Sequence, residues 1–248
     1  MPREVLLYFR SPKTGSSALV ETIDESHYNT FRLMRINTEE FRSKKNLDII
    51  TVNAAPPGKV YVRHGQKSSN GGPPCGDHFE DYDKILEALE EKKQKEDLVY
   101  IRVGIVREPY DKFMSSINYI FKKDKKKYTA LMMENPWPSS KGNNSPLNMT
   151  KYQHILRTQT NSLSYKGDFL VDYLIRFEEP SNLGDNVSKF FSSYGYNIKM
   201  KHTNKTKNKS LHMTREYAQF VNDNFQEDFK NFNYPRLSNR VINLLDPN

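Results

Sequence analysis

The chain has 248 residues, 36% of them hydrophobic and 27% charged, enough for one sizeable α/β domain with a very polar surface. A formal net charge of +8 favours polyanionic partners such as nucleic acid, an anionic membrane, a sulfated glycan or a highly charged nucleotide; a lysine-rich soluble surface is the plain alternative. The lone cysteine, Cys75, excludes an intramolecular disulfide and fits a reducing compartment, and no apolar run reaches signal-peptide or membrane-spanning length.

Residues 5–9 read as a buried parallel strand, short and apolar. Residues 11–15 form a turn-rich loop, and 16–23 a helix with Ser16 or Ser17 near its start and Leu19, Val20 and Ile23 on one face. Strands are predicted at 48–52 and 59–63, with a Gly- and Pro-dense loop at 68–76. Residues 81–95 read as a polar helix whose inner face carries Ile85, Leu86 and Leu89. The apolar run 98–106 predicts a strand, and 109–121 a helix with Pro109 in its first turn.

Residues 122–127 are a basic cluster, either a solvated helix end or a patch facing an acceptor. A Pro/Gly/Asn/Ser-rich loop follows at 136–146, then a helical pattern at 151–158. Residues 169–177 read as a strand, 182–194 as an amphipathic helix and 202–210 as a basic loop. The last predicted helix, 214–229, carries Tyr217, Phe220, Val221 and Phe225 as one stripe. Strands alternating with helices predict an α/β fold: a single domain over residues 1–248, with a central, mostly parallel sheet flanked by helices. The 15 Tyr and 14 Phe are expected to fill a core where Leu and Val are scarce.

Two segments carry chemistry. Ser11-Pro12-Lys13-Thr14-Gly15-Ser16-Ser17 lies between a strand and a helix. A helix N-terminus offers backbone N–H groups and partial positive charge, glycine allows close approach, and Lys13 with the hydroxyls of Thr14, Ser16 and Ser17 adds charge and donors. The lysine precedes the glycine, so this is not a Walker A motif. The plain alternative is a strand-to-helix turn with a serine cap. The second segment, Arg107 to Ser115, begins where the strand 98–106 ends, the edge at which open α/β sheets bind ligands. An arginine fork binds phosphate in bidentate fashion and a serine adds a hydrogen bond; the alternative is a capping arginine and a surface serine. Two such loops point to a ligand with two separate phosphate groups.

These residues resemble the sulfotransferases that use 3′-phosphoadenosine 5′-phosphosulfate (PAPS), in particular the carbohydrate branch that includes the heparan and uronyl 2-O-sulfotransferases. Pro12-Lys13-Thr14-Gly15-Ser16-Ser17 is similar to the family's Pro-Lys-x-x-Ser/Thr-Ser/Thr loop for the 5′-phosphosulfate. Arg107 to Ser115 is similar to its Arg-Asp-Pro-x-x-Arg-x-x-Ser segment for the 3′-phosphate, with Glu108 for the Asp and Lys112 for the second Arg. Weaker likeness continues through Arg157-Thr158-Gln159-Thr160, Leu174 to Glu179, His202 to Thr206 and Asp228 to Tyr234, in the family's order.

The resemblance implies a P-loop-kinase-like sulfotransferase fold, PAPS as donor, 3′-phosphoadenosine 5′-phosphate (PAP) as product, and no metal. It assigns Lys13 to the leaving phosphate and Pro12, Thr14, Gly15, Ser16 and Ser17 to the same group. Arg107 and Ser115 would hold the 3′-phosphate, with Lys205 and Thr206 covering the nucleotide. A histidine suits the general base, its reference pKa being about 6.5. His64, after Pro57-Gly58 and a short aromatic strand, resembles the family's base with about one residue of offset, and His78, in the loop beyond, is the alternative. The implied acceptor is a hydroxyl of an anionic glycan; a soluble enzyme acting on a small hydroxylated metabolite is the second expectation. A kinase, a basic nucleic-acid-binding protein and a non-catalytic PAP-binding relative are the competing readings. As read, the sequence points to the cytoplasm, or to the Golgi lumen if it is a trimmed form.

Overall fold

The computed structural model describes residues 2–34, 37–52, 78–123, 158–178, 182–200 and 211–246. They fall into two compact units: one within Met1–Val106 and Asn161–Asn204, the other within Arg107–Thr160 and Lys205–Asn248.

The first unit is α/β, built on a five-stranded parallel sheet in the order β2-β3-β1-β4-β7. Its strands are β1 (Arg3–Phe9), β2 (Thr30–Leu33), β3 (Ile49–Val52), β4 (Leu98–Val106) and β7 (Tyr173–Arg176). The run Val-Leu-Leu-Tyr-Phe is buried on both faces, as a central parallel strand requires, and β1 accordingly sits mid-sheet. Leu6 pairs with Ile49 on one side and Ile101 on the other.

Helices α1 (Ser16–Asp24), α2 (Thr38–Ser43), α3 (His78–Lys95) and α6 (Leu183–Ser193) flank this sheet. Leu19, Val20 and Ile23 of α1 and Leu183, Val187 and Phe191 of α6 join Leu6, Tyr8, Ile49, Val103 and Ile175 in one core. A small hairpin, β5 (Ser164–Tyr165) and β6 (Asp168–Phe169), follows the short α5 (Gln159–Leu163). The predicted strand at 169–177 is thus two elements, with residues 170–172 between them. The short β2 and α2 carry too few apolar residues to stand out in the sequence. The predicted strand at 59–63, the loops at 68–76 and 136–146 and the basic loop at 202–210 lie outside the described residues, as does nearly all of the pattern at 151–158.

Topology singles out one edge of the sheet. From β1 the chain goes on to β2 and β3 on one side; from β4 it goes on to β7 on the other. The adjacent strands β1 and β4 therefore send their forward connections in opposite directions. That is a topological switch point, where open α/β sheets bind ligands beyond the carboxyl ends of the strands. Residues 10–15 follow one of those ends and Arg107 the other. This arrangement is consistent with a P-loop-like α/β fold.

The second unit is helical among its described residues: α4 (Pro109–Lys123), α7 (Arg215–Asn224), α8 (Gln226–Asn231) and α9 (Asn239–Ile242). Its core is aromatic, as the composition predicts, with Phe113 packed against Tyr217, Phe220 and Phe225. The predicted helix at 214–229 is broken at Phe225, and Phe225, Phe229 and Phe232 are all buried. Carboxamides bind loop backbone here: Asn118 donates to the Leu211 carbonyl and accepts from the Leu211 N–H. Among the described residues, no helix is long and apolar enough to cross a membrane.

Candidate functional site

The loop after β1 is held by its own atoms and by the core behind it. The Arg10 N–H donates to the Val52 carbonyl, the last sheet bond before the chain turns. The Thr14 hydroxyl donates to the Ser11 carbonyl at 2.8 Å, closing the loop, and both residues are fully buried. Lys13 and Gly15 take left-handed backbone conformations, with φ of 63° and 79°. Only glycine fits the second position. A Cβ on Gly15 would overlap the Leu183 Cδ2 and lie 3.3 Å from the Phe177 ring.

Gly15 occupies the cap position of α1, so no side chain caps this helix. Ser16, one of the two expected near the helix start, is its first residue, which excludes the serine cap of the plain reading. The helix therefore presents its N-terminal dipole to the loop with no side-chain cap among the described residues. Two buried hydroxyls lie in the same stretch. Among the described residues the Ser11 Oγ has no hydrogen-bond partner, and the Tyr8 Oη lies close to the Ser16 side chain. A buried hydroxyl left without a partner costs about 1–3 kcal/mol.

Cationic groups surround the loop. The Arg10 guanidinium donates to the Ser17 Oγ at 3.3 Å. Burial lowers its pKa from the ordinary value, Tyr8 opposes this, and the nearby Arg32 adds to it. Burial also pushes the Tyr8 phenol well above its ordinary pKa, against the pull of Arg10. Tyr8 is therefore a neutral hydroxyl at any physiological pH. Lys13 and Pro12 are half-buried, and Ser17 is exposed.

Arg107 opens the second unit. Its N–H donates to the Gln159 Oε1 at 2.6 Å, and its carbonyl accepts from the Gln159 Nε2 at 2.7 Å. Its guanidinium lies 3.8 Å from the Asp111 carboxylate. Glu108 serves the local fold. Its carboxylate accepts from the Asp111 N–H at 2.7 Å, capping α4 just before Pro109. Lys112 is fully buried, its Nζ 5.6 Å from the centre of the Phe225 ring, so it does not offer a solvent-facing charge. Ser115 is half-buried on α4.

Pro12 to Ser17 are thus brought together in one loop and helix start, and Arg107 and Ser115 belong to the start of the second unit. His64, Lys205 and Thr206 lie outside the described residues. His78 is the first residue of α3 rather than part of a loop. Two residues with no predicted role stand beside Arg107. Gln159 is fully buried, and the fully buried Asp228 carboxylate accepts from the N–H groups of Gln159 at 2.8 Å and Thr160 at 2.7 Å. A Gln and an Asp so far apart in sequence carry no spacing signal.

Comparisons with protein-family models, curated proteins and solved structures return no match. Loop geometry and the motifs themselves therefore carry the functional assignment.

Proposed function

We propose that this protein is a PAPS-dependent O-sulfotransferase. The observation that carries the reading is the loop at residues 10–16. It joins a lysine and a glycine in left-handed conformations with, among the described residues, an unpartnered buried Ser11 hydroxyl and a helix start that no side chain caps, at the carboxyl end of the central strand. That combination suits a phosphate group closely approached by backbone N–H donors.

In this reading the 5′-phosphosulfate sits on the backbone N–H groups of Thr14 to Ser17, beside Lys13. The 3′-phosphate is taken by Arg107 and Ser115, with Lys205 and Thr206 covering the nucleotide. The acceptor hydroxyl attacks sulfur in line, its oxygen forming a new S–O bond while the bond from sulfur to the 5′-phosphate oxygen breaks. Its proton passes to His64, or to His78 if that residue is the base. Lys13 neutralises the charge that grows on the departing phosphate. The products are PAP and a sulfate ester, and the basic balance of the chain favours an anionic glycan as acceptor.

The test is a PAPS assay over glycans and small alcohols, read by product mass, with ATP in parallel. Sulfated product from PAPS is expected, and phosphorylated product from ATP would replace this reading with a kinase. Lys13→Ala is expected to lower turnover by about a hundredfold or more. Full activity in that variant sinks the mechanism.

A further inference from the structure

The network around Arg107 extends beyond groups that touch a ligand. β4 ends at Val106, and among the described residues no strand register continues to the backbone of Arg107. The Gln159 carboxamide takes that place. One planar group accepts from the Arg107 N–H and donates to the Arg107 carbonyl, at 2.6 and 2.7 Å. This paired bond fixes the peptide planes on both sides of the Arg107 Cα, and with them the direction in which its side chain leaves.

Gln159 is itself fixed. The Asp228 Oδ2 accepts from its N–H at 2.8 Å and from its Nε2 at 3.4 Å, while Oδ1 accepts from the Thr160 N–H. Asn231, on α8 like Asp228, donates to the Thr160 hydroxyl. Both Gln159 and Asp228 are fully buried. A carboxylate and a carboxamide are costly to bury unless nearly every polar atom is bonded, and a network satisfied in this way admits one geometry. From the other side, the Glu108 cap and Pro109 hold the residues that follow.

We infer that Gln159, locked by Asp228, is the positioning residue that aims Arg107 at the 3′-phosphate of the nucleotide. The inference rests on the sulfotransferase reading above. An arginine fork binds phosphate in bidentate fashion only when its stem starts from a fixed point, because small displacements lose one of the two bonds. Gln159 touches no ligand in this scheme; it acts through Arg107.

The experiment compares PAP with AMP, which differ by the 3′-phosphate alone. Binding of each is measured by calorimetry on the full chain, for the wild type, Gln159→Met and Asp228→Asn, with a thermal melt of every variant. The wild type is expected to prefer PAP strongly. In either variant PAP affinity should fall about tenfold to a hundredfold, the worth of one charge-assisted hydrogen bond, while AMP affinity stays constant. Equal losses for both nucleotides, or a preserved preference, overturn the inference. So does unfolding of both variants, which would make the network serve the fold rather than one anion. A wild type that does not distinguish PAP from AMP sinks the underlying reading instead, so the two failures are told apart.

Discussion

Leu183 fills the space that a side chain on Gly15 would need, its Cδ2 overlapping the place where that Cβ would be. Leu183 is the first residue of α6, capped by Asn182 through the Asp185 N–H. The turn of the candidate phosphate loop is thus set by a helix that arrives much later in the chain. Loop shape and core packing are one feature here.

Gly15→Ala should therefore be more damaging than an ordinary loop change. It combines a left-handed backbone with an overlap in a packed site, for a loss of about 2–4 kcal/mol. Urea denaturation measures this, and the double variant with Leu183→Ala apportions it. The overlap disappears in the double variant while the backbone strain remains, so the two effects should couple favourably. Simple additivity would contradict the packing argument.

Tyr110→Phe removes one hydroxyl from a buried junction. That hydroxyl donates to the Asn222 Oδ1 and accepts from the Leu237 N–H at 2.8 Å. Its loss leaves two polar groups without a partner, and stability should fall by about 2–3 kcal/mol. A change below about 0.5 kcal/mol would show that water replaces the hydroxyl.

Alkaline stability should be governed by buried phenols. Burial raises the pKa of Tyr8, Tyr82 and Tyr100 above the ordinary value. A raised folded-state value means that the stabilisation is complete below the unfolded value of about 10 and is lost as pH rises beyond it, because the unfolded chain ionises first. Each such group steepens the loss by about 1.4 kcal/mol per pH unit. Tyr8→Phe should make the slope above pH 10 shallower by about that amount, read by urea melts between pH 9 and about 11.5. At pH 8 it should change stability by about 1 kcal/mol or less, since what is lost is one neutral hydroxyl beside Ser16. An unchanged slope would refute the assignment.

At the acid end the sign reverses. The Arg102 guanidinium holds the Asp172 carboxyl below its ordinary pKa through two hydrogen bonds, at 2.9 and 2.5 Å. A depressed folded-state value gives stabilisation above the unfolded value of about 3.9, lost as pH falls through the folded one. Both side chains are well exposed, 44% and 40%, so solvent screening limits the effect to about 1 kcal/mol or less. Asp172→Asn should be slightly less stable at pH 7 and match the wild type at pH 2. A deficit that persists at pH 2 would assign the effect to packing.

Much of the first unit was legible because its strands are apolar runs with polar ends. The strand at 98–106 is found at Leu98–Val106, and the one at 5–9 gains only Arg3 and Glu4. β2 was not legible: Thr-Phe-Arg-Leu buries only Phe31 and Leu33, too short an alternation to separate from loop. The break at Phe225 was hidden for the opposite reason. The helical stripe runs straight through it, and only tertiary packing decides that the helix stops there. The loop at residues 11–17 was legible as a local strand-to-helix motif. Gln159 and Asp228 were not, because a hydrogen bond between residues 69 apart leaves no period in the sequence.

The order of the sheet also dictates when the loop can exist. β1 is synthesised well before its partners, β3 and then β4, whose Leu98 pairs with Arg3. The contact that sets the turn at Gly15 waits longer still, for Leu183. Parallel pairings of such high sequence separation form slowly and leave apolar edges uncovered meanwhile. A nascent chain that has not yet reached α6 therefore carries the whole motif at residues 11–17 without the packing that holds its shape.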